Sequence, residues 1–206
     1  QLFKMRKGLK YLLIIFLLLN LLIVLSGKSW LYKAISITYL KGYTSSYIND
    51  FVYFSANTIE AGTHQKWALA NNYNTTELPN SIKPVNDDLE TVAFMVIVND
   101  SIQFEKYWHG YSSDTMSNSF SMSKSWVSTL VGVALKEGDI KSIDQKVCDF
   151  LPNFCEGRNA ELTIKNLLTM SSGLNWAEDY YNPIGQTSEA YYGNNLSKLV
   201  NGLKVV

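Results

Sequence analysis

The hydrophobic pattern of this 206-residue chain changes character several times along its length. From Tyr11 to Leu25 it is continuously apolar apart from Asn20, with Lys4, Arg6, Lys7 and Lys10 just ahead of it. Extended to Tyr32 the run is about 22 residues, or roughly 33 Å as a helix, which matches the hydrocarbon core of a bilayer. Residues 33 to 90 are polar and irregular. Within them, 47 to 54 suits an amphipathic helix or strand, and 71 to 88, with Pro79 and Pro84, reads as loop. Thr91 to Val98 is a run of the buried-strand type, Asn99-Asp100-Ser101 is turn chemistry, and Ile102 to Trp108 alternates as a second strand, so the stretch predicts a hairpin. A polar loop over 111 to 118 then leads to Ser121.

The next segment has helical periodicity: Trp126, Val127, Leu130, Val131, Val133, Ala134 and Leu135, with Gly138 placed to stop the helix. Thr163 is placed to cap a short helix through Leu167 and Leu168, which Ser171-Ser172-Gly173 should end. Leu196, Leu199, Val200 and Leu203 predict one more amphipathic helix within 194 to 206.

The candidate chemistry lies at the head of the long helix, in Ser121-Met122-Ser123-Lys124. Positions three apart share a helix face, so Lys124 should lie one turn below Ser121. A serine hydroxyl is a poor nucleophile until a base takes its proton, and a lysine is a base only when desolvation or a nearby cation lowers its pKa. Burial of Lys124 under the mouth of a cleft would supply that. The positive end of the helix would favour the alkoxide.

Ser and Lys are common, and the spacing alone does not single this pair out. Its surroundings do. The order Ser119-Phe120-Ser121-Met122-Ser123-Lys124-Ser125, then Glu137-Gly138, Ser142-Ile143-Asp144, Phe150-Leu151-Pro152 and Leu162 to Trp176 resembles the serine β-lactamase-related family. That family includes class C β-lactamases, low-molecular-weight penicillin-binding proteins, family VIII esterases and nylon-oligomer (6-aminohexanoate-dimer) hydrolases. The last branch resembles the chain most, over about residues 90 to 206.

The resemblance implies an α+β fold, the N-terminal portion of a β-lactamase/transpeptidase-like domain in which the hairpin begins an antiparallel sheet flanked by helices. It implies a serine hydrolase forming an acyl-enzyme on a small ester or amide. Ser121 would be the nucleophile and Lys124 its base, with no metal or cofactor. In the nylon-hydrolase branch, the tyrosine of a segment similar to Glu178-Asp179-Tyr180 lies over the pocket and contacts substrate, so Tyr180 is the candidate substrate-binding residue. A DD-peptidase or β-lactamase is a second reading, and a non-catalytic binding or scaffold protein with the same fold a third. The family's later Tyr-x-Asn motif and its Lys-Thr-Gly or His-x-Gly strand have no counterpart placed as the family has them. Tyr180-Tyr181-Asn182 and Tyr192-Gly193-Asn194 match the first in letters only. The chain is therefore expected to be a fragment, truncated on its C-terminal side and inactive alone.

The expected organisation is a cytoplasmic basic flank over 1 to 10, a signal-anchor helix over 11 to 32, a stalk over 33 to 89 and the hydrolase domain over 90 to 206. Trp30 and Tyr32 would lie at the membrane interface. The domain would be exported on a single-pass anchor, or secreted if the signal is cleaved at Ala34-Ile35-Ser36. Met5 is a plausible start residue. Cys148 and Cys155 are a disulfide or two free thiols. His64 and His109 complete no zinc pattern with them, and His109 reads as a surface residue. With 18 basic and 18 acidic side chains, net charge gives no argument for nucleic acid as a partner.

Overall fold

The computed structural model describes residues 2–63 and 65–206, with side chains from Lys7 onward. His64 and the side chains of Lys4, Met5 and Arg6 lie outside the described residues. The chain divides into two compact units, one made of residues 1–54 and 118–206, the other of residues 55–117.

In the first unit, α1 (Leu2–Leu25) contains a span, Lys7–Leu25, long and apolar enough to cross a membrane. A signal sequence near an N-terminus has the same character. The helix does not continue to Tyr32. Gly27 adopts φ 72°, and the Lys28 N–H bonds the Ile23 carbonyl while the Gly27 N–H bonds that of Val24. This pair of bonds closes a helix end around a left-handed residue, a conformation glycine adopts without a Cβ clash.

A second helix, α2 (Trp30–Ile37), follows. Its apolar face, Trp30, Leu31, Ala34 and Ile37, is buried with Tyr192, and Ile23, Phe54 and Tyr191 pack around the cluster. Trp30 is therefore a core residue at 6% exposure and not the interface anchor expected from sequence. The reason is the break at Gly27, which ends the span and lets α2 turn its apolar face onto the folded chain. Tyr32, on the other face, donates to the Asn20 side chain of α1 at 2.6 Å.

The long helix forms as expected. A 3-10 turn over Phe120–Met122 leads into α4 (Ser123–Glu137), which ends at Gly138 with φ 87°. No residue of α4 is buried, and Trp126, Val127 and Leu130 remain more than half exposed. Cys148 and Cys155 form a disulfide, which resolves the alternative left open by the sequence.

Thr163 caps α5 (Ile164–Leu168) in a reciprocal box: its side chain accepts from the Asn166 N–H, and the Asn166 side chain accepts from the Thr163 N–H. That satisfies two otherwise orphaned donors. The helix stops before Ser171, because Met170 takes the left-handed position itself (φ 57°) and the Ser171 N–H bonds the Asn166 carbonyl.

Val147, Phe154 and Leu162 make a second buried cluster, with Leu174, Val200 and Val205 against it. Burying each such side chain contributes about 1.5–3 kcal/mol. The remaining helices are α6 (Gln186–Tyr192), which the hydrophobic pattern did not mark, and α7 (Leu196–Asn201). α7 is shorter than expected because residues past Gly202 are extended, Val205 pairing with Leu174 as an isolated bridge.

The second unit carries the expected hairpin. β2 (Ala93–Val98) pairs antiparallel with β3 (Ser101–Tyr107), with an irregularity at Val96/Ile97. Asn99 and Asp100 both have positive φ, 49° and 59°, as a two-residue turn matched to strand twist requires. The stretch expected as a stalk adds a strand, β1 (Ala68–Leu69), parallel to β3, giving the order β1-β3-β2. It also contains a short helix, α3 (Lys83–Asp88), where a loop was expected; Pro84 sits in its first turn, where no backbone N–H is missed. The hairpin belongs to the unit of residues 55–117 and the Ser121 helix to the other.

Candidate active site

Ser121 sits in the 3-10 turn that feeds α4, one residue after Phe120, whose φ of 45° lies in the left-handed region. The turn is held by the Ser123 hydroxyl, which donates to the Phe120 carbonyl at 2.7 Å, and by the Met122 N–H on the Ser119 carbonyl. From this platform the i, i+3 spacing brings the two candidate residues together: the Lys124 Nζ donates to the Ser121 Oγ at 2.8 Å.

One part of the sequence-based expectation fails. Lys124 is exposed, as is Ser121, so the desolvating cleft over the lysine is not formed by the described residues. The physical reason is that α4 buries none of its face. What lies beside Lys124 is an open, mainly apolar groove of about 420 Å³ between α4 and α5, lined by Val127, Val131, Phe150, Leu167 and Met170 among others.

Tyr180 approaches from the loop between Trp176 and α6. Its hydroxyl donates to the Glu178 carboxylate. The bond to Glu178, together with partial burial and the negative charge of that carboxylate, raises the phenol above its ordinary pKa. Of the three residues singled out from the sequence, Ser121 and Lys124 are hydrogen-bonded to one another, and Tyr180 bonds Glu178.

The loop is braced on α6. The Gln186 side chain accepts from the Ala177 N–H at 2.8 Å, and the Thr187 hydroxyl accepts from the Asp179 N–H at 3.1 Å while donating to the Ala177 carbonyl at 3.2 Å. The Asp179 side chain accepts from the Tyr181 N–H at 3.0 Å.

Glu178 is the residue that sequence reasoning missed. The available signal was its i, i+2 relation to Tyr180 in an Asp- and Asn-rich loop, where a tight turn can set both side chains on one side. The two letter matches to Tyr-x-Asn part company. Tyr192 is buried in the core and hydrogen-bonded to Ser46 at 3.1 Å, whereas Tyr180 is exposed and bonds Glu178. His109 is exposed at the end of the hairpin. Among the described residues, no group of three or more His, Cys, Asp or Glu side chains comes together in a way that could hold a metal ion.

No curated protein matches the chain. Residues 78–201, more than half of its length, match the family described as Beta-lactamase. The matched stretch includes Ser121 and Lys124, the capped helix α5 and the loop carrying Tyr180. Members of this family are generally serine hydrolases, and a serine hydroxyl bonded to a lysine one turn along a helix is an arrangement suited to that chemistry. On that match, the chain belongs to the Beta-lactamase family.

Proposed function

We propose that the protein is a serine hydrolase that forms an acyl-enzyme on Ser121 with small esters or amides, in the manner of the nylon-oligomer hydrolase-like branch of its family. Ser121 Oγ attacks the carbonyl, Lys124 activates it, and the positive end of α4 favours the alkoxide. Tyr180 contacts the bound substrate. Water then releases the acyl group. The observation that carries this reading is the 2.8 Å bond from Lys124 Nζ to Ser121 Oγ.

The catalytic domain is exported and held to the membrane by α1, with the basic flank on the cytoplasmic side. A reporter active only outside the cytoplasm, fused after Glu90, should be active. Activity confined to a cytoplasmic reporter would remove the export proposal.

Turnover of p-nitrophenyl acetate by the protein tests the chemistry. Ser121→Ala should abolish it, and Lys124→Ala should lower it by a factor of at least about 10². The two losses should not add, because the pair acts as a unit. Hydrolysis that persists in Ser121→Ala contradicts the proposal. Faster turnover of a penicillin or a D-alanyl peptide than of any ester would assign the site to a β-lactamase or DD-peptidase.

A further inference from the structure

Shortly ahead of Ser121, Asn118 is bonded twice to a stretch that is distant in sequence but lies in the same unit. Its backbone N–H donates to the Ile48 carbonyl at 2.8 Å, and its Nδ2 donates to the Tyr47 carbonyl at 3.0 Å. Two donors on two consecutive carbonyls fix both the place and the orientation of the residue. The acceptors are themselves held. The Tyr47 N–H donates to the Asp50 side chain at 2.8 Å, and Asp50 is buried at the start of the 3-10 turn Asp50–Tyr53. The hydroxyl of Ser46, next in the chain, is hydrogen-bonded to that of the buried Tyr192 at 3.1 Å.

Between Asn118 and Ser121 the chain passes through Phe120 at φ 45°. A residue with a Cβ keeps that left-handed conformation only where its surroundings hold it. Downstream, the Ser123 hydroxyl holds the Phe120 carbonyl. Upstream, the hold is Asn118. The Phe120 ring also meets Tyr191, with centroids 6.4 Å apart, and Tyr191 meets Phe54 at 6.3 Å. Residues 47 to 54, expected as part of a stalk, thus touch the Ser121 turn at two points. The lysine bond to Ser121 Oγ cannot do the same work, because the long stem of Lys124 can follow the oxygen through several positions.

We propose that Asn118 is a positioning residue for Ser121, clamping the turn that carries it onto the Tyr47–Ile48 backbone. This rests on the reading of Ser121 as the nucleophile. Asn118 takes no part in bond making. It acts through the backbone of residues 119 and 120, and it keeps Oγ where attack on a bound carbonyl is in line. A displacement of about 1 Å at the reacting atom can cost about 10² in rate. Binding of a small ester does not depend on the clamp, so its loss falls on kcat.

Two variants test this with p-nitrophenyl acetate and the protein, each rate being taken per folded molecule from chemical denaturation. Asn118→Ala removes the bond to Tyr47 and leaves the backbone bond to Ile48. Asn118→Asp keeps the shape of the side chain but sets a carboxylate oxygen against the Tyr47 carbonyl. The clamp requires Asn118→Ala to lose at least about tenfold in kcat with KM unchanged, and Asn118→Asp to lose no less. Asn118→Ala introduces no charge and carries the test if Asn118→Asp does not fold. A smaller loss in kcat, or a matching rise in KM, overturns the clamp while leaving Ser121 as nucleophile. Ser121→Ala that hydrolyses as fast as the unaltered protein overturns both.

Discussion

Trp30, at the start of α2, and Tyr192, at the end of α6, are buried in one apolar cluster. The contact ties the segment just after the membrane-length helix to the loop-and-helix region that carries Tyr180. Trp30→Ala should therefore destabilise the folded unit by about 3–5 kcal/mol, measured by chemical denaturation. A loss below about 1 kcal/mol would mean that the indole is not packed as described.

Asn159 is buried, and its side chain does the work of a missing strand partner: Nδ2 donates to the Leu203 carbonyl at 3.0 Å, and Oδ1 accepts from the Val205 N–H at 2.7 Å. Asn159→Ala leaves both backbone groups without that partner, at a cost of about 1–3 kcal/mol for each one that stays buried. Hydrogen exchange at the Val205 amide should accelerate with the loss of stability. Unchanged protection there would contradict the bond.

The Cys148–Cys155 disulfide closes a short loop beside the second core cluster, in which Val147 and Phe154 are buried. The chain-entropy relation gives about 2–3 kcal/mol for a loop of this size. Replacing both cysteines with serine should lower stability by that order, and alkylation of the unreduced protein should modify neither sulfur. Two alkylated cysteines before reduction would show the bridge absent.

Much of this architecture was legible because its signals are local. Asn99-Asp100 can take the two positive φ values of a tight hairpin, Gly138 can take the left-handed cap, and the Thr163/Asn166 box needs only three residues' separation. The same holds for Ser121 and Lys124, which one turn of helix joins. What the sequence withheld depends on distant partners. Trp30 looks like a membrane anchor until Gly27 breaks the helix and Tyr192 covers the indole. β1 is two residues long and exists through pairing with β3. The exposure of Lys124 is a property of what does not cover α4, and no residue of α4 encodes it.

Tyr107 gives a pH-dependent prediction in the sheet unit. Its hydrogen bond to Glu105, its burial, and the nearby charges of Glu105, Tyr73 and Asp114 push its pKa up to about 12. The folded value lies above the value of about 10 expected when unfolded. The neutral phenol therefore contributes stability that is fully present below about pH 10 and is lost as pH rises through about 12. Phenolate absorbance should include a tyrosine that ionises near pH 12, and Glu105→Gln should bring that ionisation back toward 10. An unmoved late ionisation in Glu105→Gln would reject Glu105 as the cause.

The most direct measurement is to locate the covalent adduct. Incubating the protein with a fluorophosphonate and mapping the product by mass spectrometry should place the label on Ser121 alone, and Ser121→Ala should take up none. The Lys124 contact at 2.8 Å predicts that Lys124→Ala labels more slowly by a factor of at least about 10² with the fold intact. Label on a different residue, or a folded protein that takes up no label, would contradict the assignment of Ser121 as the nucleophile.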